Sequence, residues 1–347
     1  MPEMGKISED YGKLNVAMFV GLDYDDELWD VLLDQITLDE MTELVRMGGY
    51  ATVPIPSINL PGTINRDGPA GISDRLAGGR ISAMAFPVQT VLASTWNVDL
   101  VEEMGRLVGE DSIHSDVAGW YAPGVNLHRL PFGGRNFEYF SEDNFLSGQM
   151  GASIVAGAQS KGAFTTVKHF ALNEQDTNRI GGAIFANEQS IRELYLKPFE
   201  ITVREANVSA AMASLNRIGA RWSGAHEGLM TETLRNEWGF EGLVVTDQAS
   251  FSVFEYQDII AGQEAGTNLW LNTDSSLWTF DEEDLTPTVV NNIRKSTKDI
   301  LYTIVNSHAM NGMSSSSQVV PVTPLWKYWL LGANILVGLL AFLVFYL

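Results

Sequence analysis

The run GFEGLVVTDQ, residues 239–248, carries the consecutive aliphatics Leu243, Val244 and Val245, which stop abruptly at Thr246 and Asp247. A short, uninterrupted apolar run of this kind suits a strand buried on both faces. It predicts a parallel strand with a carboxylate at its C-terminal end, where loops gather and chemistry sits in parallel α/β sheets and barrels. Read alone, Asp247 serves equally well as the cap of a following helix.

Moving outward, a unit repeats on both sides of this run: a short apolar strand, a loop rich in Gly and polar residues, then an amphipathic helix. Strand ends are expected near Arg66 and Asp67, Ala93 and Ser94, Asn126, Lys168 and His169, Asn216, Asp247 and Asn272. Helices are expected over Val98 to Ser115, Phe145 to Ser160, Asn187 to Glu205, His226 to Glu237, Phe254 to Ala265 and Pro287 to Ser307. Upstream, the spacing of Leu28, Val31, Leu32 and Ile36 predicts a helix, and Thr37 with Glu40 a capping box opening a second. One short strand fits Asn15 to Val20. These alternations favour a (β/α)8-type TIM barrel over two domains. A doubly wound open sheet is the alternative, but no GxGxxG or GxxxxGK[ST] turn is present.

The chain has 347 residues, 45% hydrophobic, with a formal charge of −21. That charge, without a basic patch, argues against nucleic-acid partners and fits neutral substrates. The cysteine count is zero, which removes disulfides and thiolate metal sites. The five histidines lack HExxH-type spacing, so neither metal nor cofactor is expected. Residues 325–347, LWKYWLLGANILVGLLAFLVFYL, are long enough as a helix, roughly 35 Å, to cross a bilayer. Lys327 can snorkel, and Trp326, Tyr328, Trp329 and Tyr346 suit the interfaces. The expected organisation is a lead-in over 1–27, the barrel over 28–311, a Gly/Ser linker over 312–324 and a single transmembrane helix over 325–347. The abrupt stop at Leu347 suggests truncation, and no signal peptide is evident near the start.

Asp67, Arg129, Arg135, Lys168, His169 and Asp247 all fall at expected strand ends. Carboxylate, guanidinium, ammonium and imidazole converging on one mouth can hold several hydroxyls in fixed geometry, which is what a sugar requires. Each also has a structural reading. Arg135 can pair with Glu138 or Glu142 as a loop clasp, and Lys168 with a neighbouring acid. Trp96, Trp222 and Trp270 suit either sugar stacking or the core.

The runs DGPAG at 67–71, GVNLHRLPFGGRNFEYFSED at 124–143, KHFALNEQ at 168–175 and GFEGLVVTD at 239–247 resemble glycoside hydrolase family 3, the β-glucosidase family, in order and spacing. The resemblance spans about Trp29 to Asn311. It implies a (β/α) barrel, sometimes incomplete in its first strands, with Asp247 as nucleophile and Asp67, Arg135, Lys168 and His169 as the sugar subsite. Arg129 falls where the family often places a further polar contact. The implied reaction is retaining hydrolysis of a non-reducing β-glucosyl or related residue from a β-glucoside or oligosaccharide.

This chain departs from the family in two places. The family's acid/base glutamate usually comes from a separate α/β domain, which neither end provides, and KHFALNEQDTNR lacks the PGHG of the branch with a histidine acid/base. The expectation is therefore that the chain is either a fragment of a longer enzyme of the rearranged, membrane-anchored type or dependent on such a domain as a partner; Glu138, Glu142, Glu174 and Asp176 are read as structural. MASLN at 212–216 has Leu215 where the family commonly has Tyr. The alternatives are a catalytically impaired, membrane-anchored sugar-binding protein and an aldolase-type barrel using Lys168 as a Schiff-base lysine. By analogy, the barrel is expected outside the cytoplasm.

Overall fold

Strand β4, Phe164–Phe170, is buried along its whole length, as are β3, Gly119–Tyr121, and β6, Ala210–Ala213. The aliphatic part of β9, Leu243–Gln248, is buried too, while Asp247 and Gln248 emerge at its end. Burial on both faces explains why β6 and the start of β9 read as apolar runs without alternation. A computed structural model of the chain describes residues 4–73, 81, 83–320 and 322–346.

With β1, Ala51–Thr52, β2, Thr63–Asp67, and β10, Leu269–Leu271, these strands form one sheet in the order β1-β2-β3-β4-β6-β9-β10. All neighbours are parallel except β1 and β2. The short strands β5, Ala183–Ile184, β7, Arg217–Ile218, and β8, Arg221–Trp222, pair in a separate sheet. The edges approach one another: the Gly48 and Gly49 N–H groups donate to Trp270 O and Asn272 O at 2.8 and 3.0 Å. A Cβ on Gly48 would lie 2.4 Å from Leu269 Cγ, so glycine is what lets the two backbones meet. The fold is TIM-barrel-like. Its first strand is two residues long and antiparallel, so the ladder of eight parallel strands is not completed among the described residues.

Most helices lie where their periodicity places them, including Val98–His114, Asn144–Gln159 and Pro287–Val305. Thr37 and Glu40 form the capping box of Leu38–Arg46. Several expectations are corrected. Asn15 to Val20 is no strand: Val16–Phe19 is a 3₁₀ turn capped by the Asn15 side chain, with Val16 and Phe19 buried three residues apart. Ala93 ends a short helix, Gln89–Ala93, because Val88 and Leu92 fit helical spacing as well as a strand. The strand expected to end near Asn126 stops at Tyr121, and the one expected near Asn216 stops at Ala213. The span Asn187 to Glu205 divides into Glu188–Ser190, a π-helical turn Ile191–Tyr195, and Lys197–Ala206. The helix expected from Phe254 begins at Ile259.

The lead-in is part of the body: Leu14, Val16 and Phe19 join the core, and Gln35 bonds both ways with the Leu14 backbone. The start of the expected linker is fastened as well, since Asn15 Nδ2 donates to Ser315 O and Ser317 O. Residues 318–347 form a second unit. It contains the helix Leu325–Tyr346, whose apolar 18-residue stretch has mean hydropathy 2.1, and which is long and apolar enough to cross a membrane. Leu347, the last residue of the expected span, lies outside the described residues.

Candidate active site

Five of the six side chains named at the strand ends meet in one cavity of about 260 Å³, lined by Asp67, Arg135, Lys168, His169 and Asp247 together with Tyr50, Tyr121, Arg179, Leu215 and Gln248. Asp67 ends β2, Asp247 closes β9 and Tyr121 ends β3, so this is the C-terminal face of the parallel sheet. Lys168 and His169 are consecutive, yet both line the cavity. The β4–β6 register shifts between Val167 and Phe170, which breaks regular alternation there.

The charges are held as a chain. Lys168 Nζ lies 2.5 Å from Asp67 Oδ1 and 3.7 Å from Glu138 Oε2, and Glu138 Oε1 pairs with Arg135 Nε. Lys168 and Glu138 are almost wholly buried, and each finds an opposite charge, the condition under which ions survive in an interior. Both structural readings of Arg135 and Lys168 therefore hold, alongside their place in the cavity. Burial alone would raise the Asp67 carboxyl; the Lys168 ammonium and the Gly68 N–H outweigh it and hold Asp67 below the usual carboxylate range. The turn after Asp67 needs glycine: Gly68 has φ +135°, and a Cβ there would sit 1.9 Å from Gly71 O. The Trp120 indole N–H clamps this turn by donating to Gly68 O at 2.7 Å.

Around Asp247 the arrangement is open. Oδ1 accepts the Gln248 N–H at 2.7 Å, while Oδ2 is buried with no hydrogen-bond partner among the described residues. His169 Nε2 and Arg179 Nη1 approach Oδ2 at 3.8 and 3.6 Å. Burial, with the cations Arg135, Lys168 and Arg179 nearby, pushes His169 well below its ordinary value and keeps it neutral. Its Nδ1 lies 3.2 Å from the Tyr139 hydroxyl, which donates to Asn173 O.

Arg129 stands apart. It is exposed, sits 5.4 Å over the Tyr195 ring, and lines a neighbouring cavity of about 190 Å³ with Leu172 and Glu174. Trp222 and Trp270 are buried against one another, and Trp96 is 76% exposed, so none lines the cavity. Sequence reasoning missed Arg179, Tyr50 and Gln248. Arg179 had a signal, as the one cation in the polar run that follows KHF; its Nε pairs with Asp176 at 3.0 Å.

The sequence profile of the glycosyl hydrolase family 3 N-terminal domain matches residues 31–294. Beta-glucosidase A of Butyrivibrio fibrisolvens is 42% identical over 216 residues, 62% of this chain and 26% of that protein. An exo-alpha-(1->6)-L-arabinopyranosidase of Bifidobacterium breve is 38% identical over 221 residues, 61% of this chain and 29% of its own length. Beta-glucosidase 3B from Thermotoga neapolitana, solved in complex with glucose, superposes with a TM-score of 0.74 at 32% identity, over 84% of this chain and 44% of that one. The chain thus spans only part of each relative. With the barrel-like body and the matched motifs, the chain belongs to glycosyl hydrolase family 3.

Proposed function

We propose that the body hydrolyses β-glucosides or related β-glycosides with retention, using Asp247 as nucleophile. The observation that carries this reading is Asp247 Oδ2, buried at a strand end, without a hydrogen-bond partner among the described residues, and in the same cavity as the charged chain, with Arg179 3.6 Å away. The cavity is smaller than the roughly 300–1,000 Å³ that suits drug-sized ligands, which fits one sugar ring. Asp67 accepts sugar hydroxyl protons, Arg135 and Lys168 donate, and neutral His169 does one of each.

In the first step Oδ2 attacks the anomeric carbon as the glycosidic bond breaks, and the departing oxygen takes a proton from a general acid. Water, deprotonated by the same group, then cleaves the glycosyl ester and restores Asp247. Among the described residues the carboxyls lining the cavity are Asp67 and Asp247, and Asp67 is committed to Lys168. We therefore assign the acid/base role to an α/β domain acting as a partner of the body. Residues 325–347 anchor the protein in a membrane with the body outside the cytoplasm.

The test is incubation with a 2-fluoro glucoside bearing a dinitrophenolate leaving group, which needs little acid assistance, followed by peptide mapping. Label on the peptide containing Asp247 is expected. A folded protein labelled elsewhere, or binding glucose without being labelled, would overturn the nucleophile assignment.

A further inference from the structure

Behind His169 lies a second layer of buried polar groups that the reaction does not use. Asn126, wholly buried, grips both peptide groups of His169: its Oδ1 accepts the His169 N–H at 2.6 Å and its Nδ2 donates to His169 O at 3.1 Å. The remaining Nδ2 proton goes to Glu174 Oε1 at 3.3 Å. These partners fix the amide's orientation, because a flipped amide would set its NH₂ against an N–H and its oxygen against two oxygens. Both Asn126 amide protons are thus used, and its outer anchor is one carboxyl group.

We propose that Glu174 is a positioning residue of the sugar site: through Asn126 it holds the His169 backbone, and with it the imidazole beside Asp247. This rests on the sugar-binding reading of the cavity. Glu174 sits on the loop leaving β4, faces Arg129 across the neighbouring cavity, and has the Tyr139 phenol near it; His169 stays neutral. Burial lifts Glu174 to about 7, against the pull of the Asn126, Leu127 and Arg129 contacts. Near neutrality the anchor therefore exists in two forms. Ionised, it takes a charge-assisted hydrogen bond from Asn126; protonated, it takes an ordinary and weaker one. Sugar affinity should follow, and be greater above the transition than below it.

The experiment is calorimetric titration of the full chain, in detergent, with glucose at intervals from pH 5.5 to 8.5. The wild type is expected to bind roughly 3- to 10-fold tighter at the alkaline end, within the tenfold that one pKa unit of coupling allows. Glu174→Gln keeps the size and an acceptor oxygen. It should match the wild type at the acidic end and show a flat profile. Equal pH dependence in both proteins overturns the role of Glu174, whereas glucose bound by neither at any pH overturns the sugar-site reading beneath it. If the variant does not fold, the proton chemical shift of the wild-type Asn126 side-chain amide decides instead. The amide proton donated to Glu174 should move downfield as Glu174 ionises and the hydrogen bond strengthens; a shift constant across the transition overturns the proposal.

Discussion

Glu138 is flanked by Arg135 on one side and Lys168 on the other, and its own side chain is only 3% exposed. Truncating one member of a buried ion pair leaves its partners uncompensated, at a cost of about 3–5 kcal/mol. Glu138→Ala is therefore expected to lose stability of that order in urea denaturation; a loss near zero would mean the chain of charges is not coupled. Glu174 gives a pH dependence of the opposite kind from Asp67. Its folded-state value is raised from 4.5 to about 7, so its contribution is fully present below 4.5 and lost as pH rises through about 7. At 1.36 kcal/mol per unit the ceiling is about 3 kcal/mol. Asp67, held low, contributes stability present above 3.8 and lost as pH falls below it. Denaturation at pH 5 and pH 8 should show a smaller loss for Glu174→Gln than for the wild type; identical losses would remove Glu174 as the cause. At this scale most of the charged side chains that line the cavity were legible because charged residues interrupting apolar strand ends have few other uses. The Arg135–Glu138 clasp was legible from its spacing, whereas Arg179 was not assigned, because a loop base gives no sign in sequence of which way it turns.

The elements were legible where burial is complete. The ends expected at Lys168–His169 and Asp247 lie beside the actual ends of β4 and β9, Phe170 and Gln248, because a strand whose aliphatic stretch is buried on both faces has no other way to read. Short apolar runs failed, as Asn15 to Val20 and the residues before Ala93 show, since four or five apolar residues satisfy either period. The seam between β10 and the segment before β1 was also invisible. It depends on Gly48 and Gly49 meeting Trp270 and Asn272, and paired glycines read simply as a turn. Gly48→Ala would force its Cβ to within 2.4 Å of Leu269 Cγ and 2.8 Å of Trp270 O. Overpacking of this kind costs about 1–3 kcal/mol, and here it falls on the contact that joins the sheet edges. A lowered urea midpoint is expected, with faster hydrogen exchange at Gly49; an unchanged midpoint would show that the seam yields freely.

For the whole molecule, composition made two statements that agree. The chain is strongly acidic, while the 22-residue helix Leu325–Tyr346 has no Asp or Glu and no buried residue. A helix with an 18-residue stretch of mean hydropathy 2.1 and no buried residue exposes apolar surface that water disfavours, at roughly 25 cal/mol per Å². A bilayer core about 30 Å thick matches its length of about 33 Å. Since Lys327 is its sole charged residue and lies near one end, insertion need not bury a charge in the hydrocarbon. Two preparations should then part company. The full chain is expected to float with phosphatidylcholine vesicles and to resist extraction by alkaline carbonate, whereas a chain ending at Ser317 is expected to stay in the aqueous fraction with its glucose affinity unchanged. Extraction of the full chain by carbonate would show that the helix lies on the surface, and loss of glucose affinity in the shorter chain would show that the body depends on residues beyond its own boundary.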